Sequence, residues 1–303
     1  MSDKIDFVGH QKFLVDDLNG ETPPINNFII KAESAEDKWI ESTTEAIAIW
    51  RSHFRSSYIR WALTINGLDK AKDRYDSKKG DELGFTIESI RANGMERIAL
   101  WDMQTAAKNH KSTIPMIASW GIVDLYSCLE EFVFEIYIIF LNHYPDSIIK
   151  GNEFRNLRQL KRVSSNDADK KKEWEELWRK RVESWQKKRI YDGLNKVFLA
   201  YTKVSGLKTP SIYKVSTVET WAETIAGIAE LRNCFTHGVD TVNKALAEFS
   251  NKPHSMLFDF REGEKLTIEL KHLQSIECFL DQFLTTINFS LMERAGYELQ
   301  KQS

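Results

Sequence analysis

The fold is decided by one run of the chain, Met116-Ile117-Ala118-Ser119-Trp120-Gly121-Ile122-Val123-Asp124-Leu125-Tyr126-Ser127-Cys128-Leu129-Glu130-Glu131-Phe132. The apolar character continues to about Tyr144, and it covers most sides of a helix rather than one stripe. A helix of this kind belongs in the centre of a bundle. We expect Pro115 to open it, because a proline in the first turn removes a donor that has no partner there anyway. The run 142–145, which ends in a proline, is expected to close it.

The composition predicts an all-α protein. Its 303 residues include only 14 glycines and 6 prolines, whereas sheet-rich domains need frequent turn residues. Hydrophobic residues make up 42% of the chain, which is enough to build the core of one large domain or two small ones. We therefore expect a helical bundle.

Helical spacing of apolar residues extends to most of the chain. Residues 1–33 lack it and are expected to be irregular. Further helices are predicted from Ser34 to just before Asn66-Gly67, and over about 86–109, 191–204, 217–235 and 269–298. A small β-hairpin is predicted over 255–268, around Gly263. We divide the chain into an N-terminal helical region, 1–110, and a helical domain, 111–303.

The segment Lys170–Arg189 differs from the other predicted helices. It is a charged helix with three tryptophans on one face, and it suggests an insertion between core helices at about 150–205. Basic residues beside tryptophans would suit phosphates and stacked bases. Glutamates dilute the charge, so we expect a solvated helix whose tryptophans pack on the core.

Charge and spacing exclude several classes of function. The net charge of −2 gives no overall attraction to nucleic acids, so a nucleic-acid site must be a local patch. The three cysteines are far apart and the histidines lack zinc-site spacing. No phosphate-binding glycine loop is present. We expect no metal, no cofactor, no membrane span and, since the first residues do not form a secretory signal, a cytoplasmic location.

The densest group of reactive side chains is Glu230-Leu231-Arg232-Asn233-Cys234-Phe235-Thr236-His237-Gly238. It follows the predicted helix 217–235, and Gly238 is placed to serve as a left-handed cap residue. Arg232 and His237 are five residues apart, so on a regular helix they would point about 140° away from each other. Either the helix breaks before His237, or two copies of the motif face each other across a two-fold axis. We expect both.

The residues Arg232-Asn233, followed by His237-Gly238, resemble the Arg-(four to six residues)-His motif of the HEPN superfamily. In HEPN domains, which are all-α bundles, an apolar helix precedes the helix that ends at the motif. The predicted helices 115–144 and 217–235 match that order, and a hairpin before a last amphipathic helix resembles several HEPN groups. The resemblance covers about residues 115–145 and 215–290.

Many HEPN proteins are metal-independent endoribonucleases that act as dimers, commonly as toxins or antiviral effectors. The resemblance implies that Arg232 and His237 are the catalytic pair and that Asn233 is their polar support. It implies an RNA substrate and a second copy of the chain as partners. An antitoxin or a sensor protein is a further candidate partner, and the sequence leaves that question open. One HEPN subgroup has a tyrosine two residues after the histidine, where a partner antitoxin transfers a nucleotide. Val239 stands there in this chain, so that form of control is not expected.

The chemistry of RNA cleavage suits these residue types. Without a metal, the 2′-OH of RNA attacks the adjacent phosphate, which requires a proton acceptor, a proton donor and positive charge around the phosphorus. The ordinary pKa of histidine, about 6.5, suits proton transfer. Arginine stays charged, and its fork of donors matches phosphate oxygens.

Asp124 is the second most informative residue, because a buried carboxylate is costly unless it is paired. It would orient Arg232 or His237 from the facing helix, or else point to solvent or form a structural pair. Glu130 and Glu131 are weaker candidates for the same role. Arg232 could equally pair with Glu230 or a helix carbonyl, while His237 merely favours the negative end of the helix. The motif would then belong to a non-catalytic scaffold that binds RNA or a partner protein.

Overall fold

The computed structural model describes residues 5–8, 27–77, 85–91 and 94–299. Within these ranges the chain is mostly helical, as the composition predicts. The helices are α1 (Lys38–Asp76), α2 (Met103–His143), α3 (Arg155–Val163), α4 (Ala168–Arg189), α5 (Leu194–Ser205), α6 (Val218–Thr236), α7 (Lys244–Ser250) and α8 (Leu270–Arg294). The strands are β1 (Ile5–Val8), β2 (Asn27–Ile30), β3 (Phe85–Arg91) and β4 (Gly94–Trp101).

Helix α2 forms the centre of the bundle, and it contacts α1, α5, α6 and α8. Its side chains Ile122, Leu125 and Phe132 are completely buried. Two of these neighbours pack tightly at Gly121, where an added Cβ would lie 3.1 Å from both Trp61 of α1 and Leu273 of α8. The central position predicted for this apolar run is therefore confirmed.

The predicted start of α2 is wrong. The helix begins at Met103, where Asp102 accepts a hydrogen bond of 2.7 Å from the backbone N–H of Thr105, and Pro115 lies inside it. An internal proline costs about 3 kcal/mol. Contacts with α1 on both sides of Pro115 offset that cost: Tyr75 meets His110 before it, and Trp61 packs at Gly121 after it. The division proposed at residue 110 falls within α2.

The helix predicted over 86–109 is wrong for most of its length. Residues 85–101 form an antiparallel hairpin in which Phe85 pairs with Trp101 and Arg91 pairs with Gly94. Gly94 has φ +118°, a conformation that glycine adopts far more readily than other residues. The dipeptide Asn93-Gly94 is a strong hairpin signal. Helix α1 also continues for ten residues past Asn66, so Asn66-Gly67 does not end it. Gly67 lies on an open side of the helix, with nothing within 4 Å of an added Cβ.

Two strands replace part of the irregular segment predicted for residues 1–33. Strand β1 pairs antiparallel with β2, from Ile5 opposite Ile30 to Val8 opposite Asn27. The backbone N–H of Ile30 donates to the Thr44 hydroxyl of α1 at 3.1 Å, which joins this sheet to the bundle. Residues 9–26 lie outside the described part of the chain.

The β-hairpin predicted over 255–268 is wrong. The segment makes turns, and its end pairs with the loop after α6 instead of with itself: Thr241 and Lys265 form an isolated antiparallel bridge. The aromatic rings of Phe258 and Phe260 are buried against His272 of α8. Because both rings are buried on α8, residues 255–260 do not pair as a strand with residues 265–268.

The charged helix predicted at Lys170–Arg189 is confirmed as α4, and so is the packing of its tryptophans. Trp178 and Trp185 are buried, and Trp174 stacks on Trp178 with 5.5 Å between ring centroids. Trp185 meets Tyr137 of α2 edge-on at 4.6 Å. Two of the three tryptophans are thus packed in the core and are not available to stack on bases.

Replacing Gly227 in α6 with alanine is expected to destabilise the protein. An added Cβ there would overlap the buried ring of Phe249 in α7, and overpacking of this kind costs about 1–3 kcal/mol. Gly67→Ala is the matched control, since nothing lies within 4 Å of its added Cβ and alanine favours the helix by about 1 kcal/mol. Thermal unfolding followed by circular dichroism should show a lower Tm for Gly227→Ala and a higher one for Gly67→Ala. Equal Tm values for the two variants would contradict this packing.

Candidate functional site

The end of α6 positions the motif. The helix begins at Thr217, whose hydroxyl caps the backbone N–H of Thr220, and it ends at Thr236. In its last turns Leu231 and Cys234 are buried, at 0% and 2% exposure. These two anchors fix the rotation of the helix, so that Arg232 lies half-buried at its side and His237 is exposed at its end.

The predicted helix break before His237 is confirmed, and so is the role of Gly238. His237 is the capping residue, and Gly238 has φ +67°, in the left-handed region. The backbone N–H of Val239 donates to Cys234 O at 2.8 Å, and that of Gly238 donates to Phe235 O at 3.2 Å. This pair of bonds is the Schellman arrangement, which satisfies the last carbonyls of a helix. It turns the chain sharply and leaves the imidazole in solvent.

The loop after the motif is tied back to α6. Asn243 donates from its side-chain nitrogen to the Glu230 carboxylate at 2.6 Å, and its side-chain oxygen caps Leu246 at the start of α7. Glu230 is therefore engaged with Asn243, rather than with Arg232 as one interpretation of the sequence held. The backbone N–H of Val242 donates to Glu264 O at 2.8 Å, which holds the other side of the loop.

Among the described residues, the Arg232 side chain donates one hydrogen bond, so most of its N–H groups have no protein acceptor there. Its guanidinium lies 5.5 Å from the centre of the Tyr126 ring of α2, a cation–π contact. One terminal nitrogen donates to the side-chain oxygen of Asn233 at 3.1 Å. The Nε atom is buried and has no hydrogen-bond partner among the described residues. Asn233 thus accepts a hydrogen bond from the arginine that precedes it in the chain.

Glu130 and Tyr126 form the wall of α2 that faces Arg232. They are four residues apart and so lie on one face of the helix. Burial raises the pKa of Glu130 above its ordinary value, although the positive charge of Arg232 acts in the opposite direction. Burial, helped by the negative charge of Glu130, raises the pKa of Tyr126 to about 12. The Tyr126 phenol thus stays neutral at physiological pH.

Asp124 does not take the role expected of it. It accepts a hydrogen bond of 2.8 Å from the indole N–H of Trp61 in α1, and no hydrogen bond or ion pair joins it to Arg232 or His237, all of which are described. Residues two apart on a helix point about 160° away from each other. Asp124 therefore faces α1, whereas Tyr126 faces α6. The structure assigns Asp124 the structural pair that the sequence left open.

Sequence reasoning missed Tyr126 and ranked Glu130 too low. The available signal was their spacing of four residues within the central helix, which places an acid and a phenol on the same side. This spacing does not by itself indicate a site, because the sequence does not show which side of α2 faces α6.

Two features are absent from the described part of the chain. No group of three or more His, Cys, Asp or Glu side chains lies close enough to hold a metal ion. No helix in the described ranges is long and apolar enough to cross a membrane.

Comparison with protein families, curated proteins and solved structures gives no match for this chain.

Replacing Glu130 with glutamine should change how stability depends on pH. The raised pKa means that the folded protein binds this proton more tightly than the unfolded chain does. The wild type therefore gains stability, relative to Glu130→Gln, as the pH falls from 7 through the folded pKa towards the ordinary value of 4.5. Urea unfolding of both proteins at pH 7, 6 and 5 measures the difference.

The control for loss of a surface carboxylate is Glu175→Gln, at an exposed position on α4. If the free energy of unfolding of the wild type does not increase relative to that of Glu130→Gln as the pH falls, the raised pKa of Glu130 is refuted.

Proposed function

We propose that the chain is a HEPN-type, metal-independent endoribonuclease that acts as a homodimer, as a toxin or an antiviral effector in the cytoplasm. The observation that carries this proposal is the end of α6. There an exposed histidine caps the helix five residues after a half-buried arginine, whose Nε has no hydrogen-bond partner among the described residues. A buried donor without a partner is costly, and a phosphate oxygen beside Arg232 would satisfy it.

The proposed reaction uses these groups in named roles. The 2′-oxygen of RNA attacks the adjacent phosphorus, and His237 accepts the 2′ proton. The bond between phosphorus and the 5′-oxygen breaks, and that oxygen takes a proton from an imidazolium. The products are a 2′,3′-cyclic phosphate and a 5′-hydroxyl. Arg232 stabilises the charge on the phosphorane, and Asn233 keeps the guanidinium in place through their hydrogen bond.

A second copy of the motif would complete the site. One chain supplies one imidazole, whereas the reaction needs a proton acceptor and a proton donor at the same time. The motif end, from Thr236 to Asp240, is exposed, so a two-fold axis can bring two copies together. The two Arg–His pairs would then share one cleft. An antitoxin or sensor protein would control the enzyme.

A non-catalytic helical scaffold, binding RNA or a partner protein, is the second candidate. The β3–β4 hairpin favours it, because Ile90 is 81% exposed, Met95 64% and Leu100 59%. A two-stranded hairpin is marginally stable alone, and exposed apolar groups of this size are typical of interaction sites. In this alternative the motif serves dimer packing.

Replacing His237 or Arg232 with alanine should abolish RNA cleavage and toxicity to the host cell. Loss of a general acid–base slows such reactions by about 100-fold or more, and loss of charge stabilisation by about 100- to 1000-fold. Neither change should unfold the protein, since neither side chain is fully buried. The assay is cleavage of total RNA in EDTA, followed by analysis of the product ends for 2′,3′-cyclic phosphate.

Three variants serve as controls. His143→Ala and Arg162→Ala remove the same side-chain types elsewhere. Asp124→Asn keeps an oxygen that can accept from Trp61, and it should retain cleavage because Asp124 contacts α1. Full activity in either motif variant would refute the ribonuclease. A wild type that does not harm its host, with dimerisation altered by His237→Ala, would favour the scaffold.

A further inference from the structure

A cavity of about 890 Å³ lies between α6, α8 and the turn at residues 253–257. Its volume falls in the range of small-molecule sites. Thr224 of α6 lines it and is eight residues from Arg232, which corresponds to about 12 Å along the helix. The cavity is therefore separate from the motif and is not explained by the proposed function.

The floor of the cavity is aromatic. Trp221 of α6 and Phe279 and Phe283 of α8 line it, and each is at least nine-tenths buried. The small exposed parts of these rings give the floor an apolar, aromatic character that suits contact with another aromatic ring. On the same helix, Cys278 and Gln282 form a polar stripe beside the rings, since residues four apart share a face.

The walls are fixed by bonds that do not involve a ligand. The Lys252 ammonium donates a hydrogen bond of 2.7 Å to the Glu223 carboxylate on α6, which ties the start of the turn at residues 253–257 to α6. Met256 in that turn has φ +61°, a strained conformation for a residue other than glycine. Strain held in place by its surroundings is typical of binding sites. A preformed cavity also costs a ligand little ordering entropy.

The lining determines the class of ligand. Among the described residues that line the cavity there is no lysine, arginine, aspartate or glutamate. His254 also lines it, but its Nε2 lies 2.9 Å from the Glu223 carboxylate, so this imidazole already has a partner of opposite charge. A charged ligand would therefore lose its hydration there without gaining a free counter-charge. The Gln282 side-chain nitrogen contacts Cys278 Sγ at 3.6 Å, a weak contact that a carbonyl oxygen can replace.

We propose that this cavity binds an uncharged aromatic small molecule carrying an amide or carbonyl group. The ring packs against the exposed parts of Phe279 and Trp221, and the carbonyl oxygen accepts a hydrogen bond from Gln282.

Cys278 provides a reporter for occupancy, because it is exposed while Cys128 and Cys234 are buried. The experiment measures its alkylation by iodoacetamide in the intact protein, with three probes that share one ring system: indole-3-acetamide, indole-3-acetate and tryptamine. A neutral fragment of this size binds with a Kd of about 1 mM, so about 3 mM should slow alkylation roughly four-fold. The anion and the cation should slow it much less. A parallel thermal-shift series should rank the probes in the same order.

Gln282→Trp, which puts bulk into the cavity from an exposed position, should abolish the thermal shift caused by indole-3-acetamide. Gln104→Trp, at an exposed position near the start of α2, should keep it. Equal protection by all three probes, or by none, would overturn the proposal. An unchanged thermal shift in Gln282→Trp would overturn it as well. These outcomes are independent of RNA cleavage.

Discussion

Burial of α2 from Gly121 to Leu141 is the constraint on which the rest of the structure depends. Only Glu131 and Glu135 of this stretch are exposed, so it must be enclosed, and α1, α5, α6 and α8 pack against α2. Gly121 lets α1 and α8 pack close to α2, since even a methyl group there would meet Trp61 and Leu273. The same packing carries α2 through Pro115, because contacts with α1 on both sides outweigh the missing backbone bond. The positions of the other helices follow from which side of α2 each one covers.

The sides of α2 also separate side chains that pack on α1 from those beside the motif. Asp124 faces α1 and accepts a hydrogen bond from Trp61, so it contributes to helix packing. Tyr126 and Glu130 face α6, where they form a wall beside Arg232. At the other half of α6, Trp221 lines the cavity, and Glu223 pairs with Lys252 next to it. One helix thus borders both proposed sites, which differ in chemistry: the motif end is charged and open, whereas the cavity lining is mainly apolar and aromatic.

Much of the helical fold could be predicted, because spacing of apolar residues reports the buried face of a helix directly. The helices ending at His143 and Thr236, the charged α4 and the left-handed cap at Gly238 are predicted in this way. Two predictions, the helix over 86–109 and the hairpin over 255–268, fail for a different reason. Residues 86–101 have apolar spacing compatible with a helix, yet they pair as strands around Gly94. Residues 255–268 have strand-like spacing, yet Phe258 and Phe260 pack on α8 and prevent pairing within the segment.

The sequence by itself determined the helical class, the central apolar helix, and the group Arg232, Asn233 and His237 at a helix end, because composition, periodicity and capping act over a few residues. The tertiary structure alone decided that Asp124 turns away from the motif, that Glu130 and Tyr126 stand beside Arg232, and that an uncharged cavity opens between α6 and α8. These features depend on how one helix is rotated against another. That rotation is set by packing between residues far apart in the chain.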